Sequence, residues 1–103
     1  MNTYMKKSQI HYAIRIHGHT NEFGWQLSNI DEIDEFAKKF NMDWDWNSKN
    51  GVLSLVDKSK DLNINISEHV HIGDVVVAYD DCGTWRVYDC AFECFEKNFI
   101  RVE

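Results

Sequence analysis

The stretch that decides the fold is Val70-His71-Ile72-Gly73-Asp74-Val75-Val76-Val77, followed by Asp81-Cys82-Gly83 and then Tyr88 through Phe99. It reads as strand, tight turn, strand, short helical turn and final strand. Gly73-Asp74 suits a tight turn, with glycine free to take positive φ. Asp74 to Tyr79 is nearly continuous in apolar residues, as expected of a central strand. Asp80-Asp81-Cys82-Gly83 then turns the chain into Thr84–Asp89. A short helix around Ala91–Lys97 precedes a last strand, Phe99–Val102.

Upstream of that stretch, Ile10, Tyr12, Ile14 and Ile16 alternate with His11, Ala13, Arg15 and His17. Period two with β-branched residues predicts a half-buried strand. Gly18 ends it, and residues 19–24 read as loop. Asn29 is an N-cap candidate, and Glu32 three residues later completes a capping-box pattern. Ile30, Ile33, Phe36, Ala37 and Phe40 recur at helical spacing, with acids early and Lys38-Lys39 late, as the helix dipole favours. A helix over about 29–40 follows, with Asn41 as its stop. Met42, Trp44 and Trp46 alternate with Asp43, Asp45 and Asn47. Asn50-Gly51 is a type I′ turn signal, so Val52–Val56 should pair back on residues 42–46. Asp57 to Asp61 is a polar connection, and Leu62, Ile64 and Ile66 form a further alternating strand.

The sum is an α+β fold: a small curved, largely antiparallel sheet packed on one main helix, with a short C-terminal helical turn. With 103 residues and no proline to mark a linker, residues 9–103 are expected to be a single domain behind a flexible N-terminus, 1–8. The chain can bury roughly 60–65% of its unfolded surface. Four Trp, four Tyr and six Phe argue against disorder.

Seventeen acids against eleven bases give a formal charge of −6, which disfavours direct binding to nucleic acid or an anionic membrane. No run of about 20 apolar residues is available to span a bilayer, and no apolar run follows Lys6-Lys7 as in a secretory signal. Cys82, Cys90 and Cys94 are an odd number, so free thiols in a reducing cytoplasm are the expectation.

The last third resembles a family of small phage-encoded proteins, in which a V-x-x-G-D-[YW]-[IV]-[IV] strand leads through a glycine turn to Y-x-C-x-x-[DE]-x-F-E-K-x-[YF]. The matching positions are Val70, Gly73, Asp74, Gly83, Tyr88, Cys90, Glu93, Phe95, Glu96, Lys97 and Phe99. Ala13-Ile14-Arg15-Ile16 before Gly18, then Asn29 to Ile33, resemble its first half less specifically. Asp89 and Phe92 stand where that family often has prolines, Val75 where it usually has an aromatic, and Met42–Trp46 has no counterpart. Members mostly carry no assigned chemistry. The resemblance therefore implies a fold and a phage setting within a host cytoplasm, and no reaction. The shared residues have scaffold explanations: Phe95 and Phe99 as core anchors, Glu96-Lys97 as a surface pair.

Other constellations are weak. His17-x-His19, His69-x-His71 and Cys90-x₃-Cys94 offer zinc-type donors without finger or ribbon spacing, and no metal or other cofactor is expected. A Cys–His–Asp triple can be assembled on paper only because histidines and acids are abundant. No nucleophile elbow, phosphate loop or HExxH helix is present, so no catalytic residue is expected. Asp43/Asp45 and Asp80/Asp81 read as solvated faces, since a glycosidase-like pair needs a cleft.

The tryptophans Trp25, Trp44, Trp46 and Trp85 are either core or binding surface. Set beside acids, they give the leading expectation, a non-enzymatic phage accessory protein that binds and inhibits a host protein, such as a defence or nucleic-acid-processing factor. The residues assigned to that surface are Asp31, Asp34, Glu35, Asp43, Trp44, Asp45 and Trp46. Their carboxylates would imitate nucleic-acid phosphate toward a basic groove. The rival is a homo-oligomeric protein that sequesters a small nucleotide signal. There Arg15, Arg86 and Arg101 would supply charge, and Trp85 or Tyr88 a stacking surface. A third reading is a structural phage accessory protein.

Overall fold

A computed structural model describes residues 2–3, 10–58 and 66–99, with residues 66–68 as backbone only. Among these the order is β1 (His11–Arg15), β2 (Gly18–Asn21), β3 (Gly24–Leu27), α1 (Ile30–Lys39), β4 (Met42–Asn47), β5 (Val52–Asp57), β6 (Ile66–His71), β7 (Val75–Asp81), β8 (Thr84–Cys90) and α2 (Phe92–Asn98). The fold is α+β, mostly antiparallel sheet with one main helix. Its strands divide into three sheets, β1-β7-β8, β4-β5-β6 and the hairpin β2-β3. Residues 4–8, residues 62–65 of the strand expected to start at Leu62, and everything beyond Phe99 lie outside the described residues, and Ile66 of that expected strand opens β6.

β7 is the central strand of its sheet, paired with β1 on one side and β8 on the other. Val75, Val76, Val77 and Ala78 are all essentially buried, the signature of a strand covered on both faces. Val76 and Ala78 join the main core, and Val75 and Val77 point to the opposite side. On that side α2 is tied down at both ends. The Arg15 guanidinium lies 3.6 Å over the Phe92 ring, and the Phe99 ring packs edge-on against His11 at 5.0 Å. Phe95 and Phe99 are half-buried and stacked on each other, so they are not the core anchors the sequence led us to expect. They belong to this second, thinner layer.

The Gly73-Asp74 turn forms as anticipated, with Gly73 at φ 98° and the Asp74 carboxylate accepting the His71 N–H. Its consequence is less local. β6 pairs with β5 while β7 pairs elsewhere, so this turn carries the chain from one sheet to the other. The type I′ geometry sits at Cys82-Gly83 (φ 53° and 89°), between the paired Asp81 and Thr84. Asn50-Gly51 does not adopt it. There β4 and β5 are joined by a four-residue loop in which Gly51 alone has positive φ, 67°, and the Asn47 carboxamide oxygen accepts the Lys49 and Asn50 N–H groups. Gly51 is needed for space as well, since a Cβ would come 2.9 Å from Cγ of Trp25.

Residues 19–24, expected as loop, are mostly the β2-β3 hairpin, closed by Asn21 facing Gly24. His19, Thr20 and Asn21 are exposed and polar, so β2 carries no apolar alternation to betray it. The β1 alternation is likewise only partly cashed in burial. Ile16 is 0% exposed, but Tyr12 is 38% and Ile10 73% exposed, because β1 is an edge strand of its sheet.

α1 buries Ile33, Phe36 and Ala37, and Phe40 follows as its C-cap. Asn41 then ends the turn at φ 57°. Ile30, expected on the same stripe, is 49% exposed. The capping box is absent. Instead the Asn29 carboxamide accepts the His17 N–H at 2.9 Å and donates to the Arg15 carbonyl at 2.7 Å and to the Glu32 carboxylate at 3.1 Å. Asn29 therefore bolts the start of α1 to the end of β1.

That wiring makes a specific prediction. Ser is as good an N-cap as Asn, but it cannot reach with both an acceptor and two donors. Asn29→Ser should destabilise nearly as much as Asn29→Ala, by about 2–3 kcal/mol at roughly 1 kcal/mol per lost bond. Urea unfolding of the two variants checks this; a near-neutral serine would return Asn29 to simple capping.

Candidate functional site

Met42 is buried, and strand alternation then turns Trp44 and Trp46 to the same side, against the core, and Asp43 and Asp45 to the solvent side. On the core side the Trp44 indole Nε1–H donates to Asp34 at 3.3 Å, and Lys38 reaches the same carboxylate at 3.0 Å. These two donors, Lys38 foremost, hold the Asp34 carboxyl below its ordinary pKa, and Asp34 in turn raises that of Lys38. On the solvent side Lys58 lies 3.7 Å from Asp43, and its charge also reaches Asp34. Lys58 is set there by the hairpin register, its N–H donating to the Asn41 carbonyl at 2.9 Å. The sequence reading missed Lys58, although continuing the β4-β5 register by one residue past Met42↔Asp57 points to it.

β4 is an outer strand of its sheet, with no strand paired to its outer side among the described residues, and acids stand on both flanks of that edge, Asp34 on one side and Asp43 and Asp45 on the other. Asp31, one helical turn before Asp34, is exposed. Glu35 is not part of this group. It lines an open groove of about 220 Å³ on the β1 side of α1, with Tyr12, Ala13, Ile14, Glu32, Phe36, Lys39 and Phe40. Trp46 is drawn away too, donating from Nε1 to the Trp25 carbonyl at 3.0 Å and so joining the β2-β3 hairpin. Of the seven residues assigned to one surface, Asp31, Asp34, Asp43, Trp44 and Asp45 border β4, and Glu35 and Trp46 do not. No tryptophan is fully buried. Trp44, Trp46 and Trp85 pack half-buried against the core, and Trp25 is 40% exposed.

The residues assigned to a small-ligand site do not converge. Trp85 faces the core, its ring edge-on to Phe40 at 4.8 Å and Tyr12 at 5.9 Å. Arg86 and Tyr88 lie on the opposite face, as the alternation predicts, with Arg86 paired to Asp81 at 3.4 Å. Arg15 shares that outer face but donates to the Gly73 carbonyl and covers Phe92. Register places Arg15 beside Val75 and Arg86 beside Tyr79, about 13 Å apart along β7 at 3.3 Å per residue. Arg101 lies outside the described residues.

Burial pushes the Cys90 thiol up, helped by Cys94, Asp89 and Asp74, and burial likewise raises Tyr88, beside Cys90 and Tyr79. A thiol kept protonated is a poor nucleophile. Among the described residues no group of three or more His, Cys, Asp or Glu side chains is placed to hold a metal ion, and no helix is long and apolar enough to cross a membrane. No protein-family model, no curated protein and no solved structure matches the chain.

Two measurements follow from this chemistry. In an NMR titration Asp34 should protonate below the usual carboxylate range, and the Trp44 indole N–H resonance should move with the same midpoint. Because folding lowers this pKa, the stabilisation it brings is present above about pH 4 and disappears as pH falls through the folded value. An indole shift that persists in Asp34→Asn would disconnect the two. In native-state alkylation, Cys82 at its exposed turn should react faster than Cys90, whose rate should keep rising above the pH at which an ordinary thiol levels off.

Proposed function

We propose that this chain is a non-enzymatic phage accessory protein that binds a basic surface of a host protein and inhibits it, with the edge of β4 as its contact region. The observation that carries the reading is the placement of Asp34, Asp43 and Asp45 on the two flanks of that edge, with Trp44 between them. A strand edge offers backbone groups in register, and flanking acids select a positively charged segment over a neutral one. A half-buried indole beside the edge supplies apolar area for a tight contact. The phage setting and the host cytoplasm rest on the family resemblance of residues 70–99. The host factor is of the defence or nucleic-acid-processing kind, whose basic grooves normally take phosphate.

The small-ligand reading draws less support, because Arg86 is spent on Asp81 and Arg15 on the Gly73 carbonyl and the Phe92 ring. The test is capture of the partner from host lysate by affinity purification and native mass spectrometry, followed by measured affinity. Asp43→Lys with Asp45→Lys should weaken binding at least about tenfold at low salt, and raised salt should do the same to wild type. Binding that ignores both charge reversal and ionic strength would overturn the reading. A small-molecule adduct in place of a protein would favour the sequestering alternative.

A further inference from the structure

Asn50-Gly51, the one Asn-Gly pair in the chain, carries a chemistry of its own. In such a pair the glycine backbone nitrogen can attack the asparagine side chain, because glycine presents no Cβ to crowd the approach. The Gly51 nitrogen gives up its proton and bonds to Cγ of Asn50. The side-chain nitrogen then leaves with a proton in its place, as ammonia. Water opens the resulting five-membered imide at either carbonyl, leaving aspartate or isoaspartate at residue 50. Water is the only co-reactant.

The closed loop opposes that step at its nucleophile. The Gly51 N–H is donated to the Asn47 carbonyl at 2.9 Å, so the attacking nitrogen is already engaged. Gly51 is buried and held at φ 67°, with the Trp25 ring against the position a Cβ would take. On the other side of the reacting residue, the Asn50 N–H is bonded to the Asn47 carboxamide. The Asn50 side chain itself is exposed and makes none of these bonds. The group to be attacked is free, and the group that attacks it is locked.

The lock is the β2-β3 hairpin. Its Trp25 N–H donates to the Ser48 carbonyl at 2.8 Å, and its Trp25 carbonyl accepts the Trp46 indole Nε1–H at 3.0 Å. Among the described residues this hairpin pairs only with itself, and a two-stranded hairpin is marginal alone. It is therefore the kind of unit that opens at low cost while the core stays folded. We infer that Asn50 is a modification site gated by this hairpin. It converts to aspartate and isoaspartate from the state in which Trp25 has lifted off Gly51, and not from the closed loop. Asp34, Asp43, Trp44 and Asp45 take no part, so this inference and the proposed function stand or fall separately.

The experiment is incubation of the full chain at mildly alkaline pH, with peptide mapping by mass spectrometry to place the product and circular dichroism on every variant. Folded wild type should deamidate at residue 50 at least about tenfold more slowly than the same chain unfolded in guanidinium chloride. Trp25→Ala removes the ring over Gly51 and should restore much of the unfolded rate in a chain that is still folded. Should that variant unfold, Trp46→Phe decides. It keeps an aromatic ring, loses the indole bond to the Trp25 carbonyl, and should react about fivefold faster than wild type, the worth of one hydrogen bond. Hydrogen exchange at the Gly51 N–H should quicken in the same variants and in the same order. Equal rates in the folded and unfolded chain, folded variants that react no faster, or aspartate without isoaspartate would each overturn the proposal.

Discussion

The apolar stripe of α1 is the contact on which the rest depends. The sheets β1-β7-β8 and β4-β5-β6 share no strand pairing, yet their buried residues form one cluster, and Ile33, Phe36, Ala37 and Phe40 lie in it beside Leu53 and Leu55 from one sheet and Val76, Ala78 and Val87 from the other. Each fully buried side chain of this size brings about 1.5–3 kcal/mol, so the stripe outweighs any single surface ion pair by several-fold. Around it Phe40 makes edge-on contacts with Phe36 and Trp85, at 4.7 and 4.8 Å, which fixes the roll of the helix as well as its position. Asn29 sets the remaining freedom by pinning the helix start to β1.

Once the roll is fixed, the helix charges have no choice of neighbourhood. With Ile33, Phe36 and Ala37 inward, Asp34 and Lys38 turn toward β4, and Glu32, Glu35 and Lys39 toward β1. The helix acids, contiguous in the chain, are thereby split between two strand edges. Charged residues beside an edge discourage indiscriminate strand pairing.

How much of this was legible in the sequence depended on whether burial left its mark on the order of apolar residues. α1, β4 and β5 were readable because their apolar period is driven by a core on one side, and β7 because burial on both faces leaves a continuous apolar run. The β2-β3 hairpin was not, since β2 is polar and the hairpin is placed by backbone bonds such as Trp25 N–H to the Ser48 carbonyl, which leave no periodic trace. Asn50-Gly51 misled for a similar reason. An Asn-Gly pair permits a type I′ turn, but Asn47 offers its carboxamide to the loop and the tryptophan above Gly51 makes glycine necessary on other grounds. The candidate site was legible as a list of residues and not as a place. Composition singled out Asp34, Asp43, Trp44 and Asp45, but only the packing of α1 on β4 could join them and leave Glu35 and Trp46 out.

The stretch from Val70 to Phe99 gains a physical reading from the second layer of the fold. Gly73 and Asp74 place the start of β7, Gly83 turns the chain at φ 89°, and Tyr88 and Cys90 point to the outer face. Phe95, in the helix that follows, and Phe99, at its end, then stack on each other. These positions together keep Val75 and Val77 out of water on the side the main core does not reach. A 103-residue chain has little interior to spare, so closing a second face of its central strand is a demand on sequence by itself. That demand accounts for the residues of this stretch. The charged face of the molecule is carried elsewhere, by α1 and Met42–Trp46, where carboxylates and an indole meet beside β4.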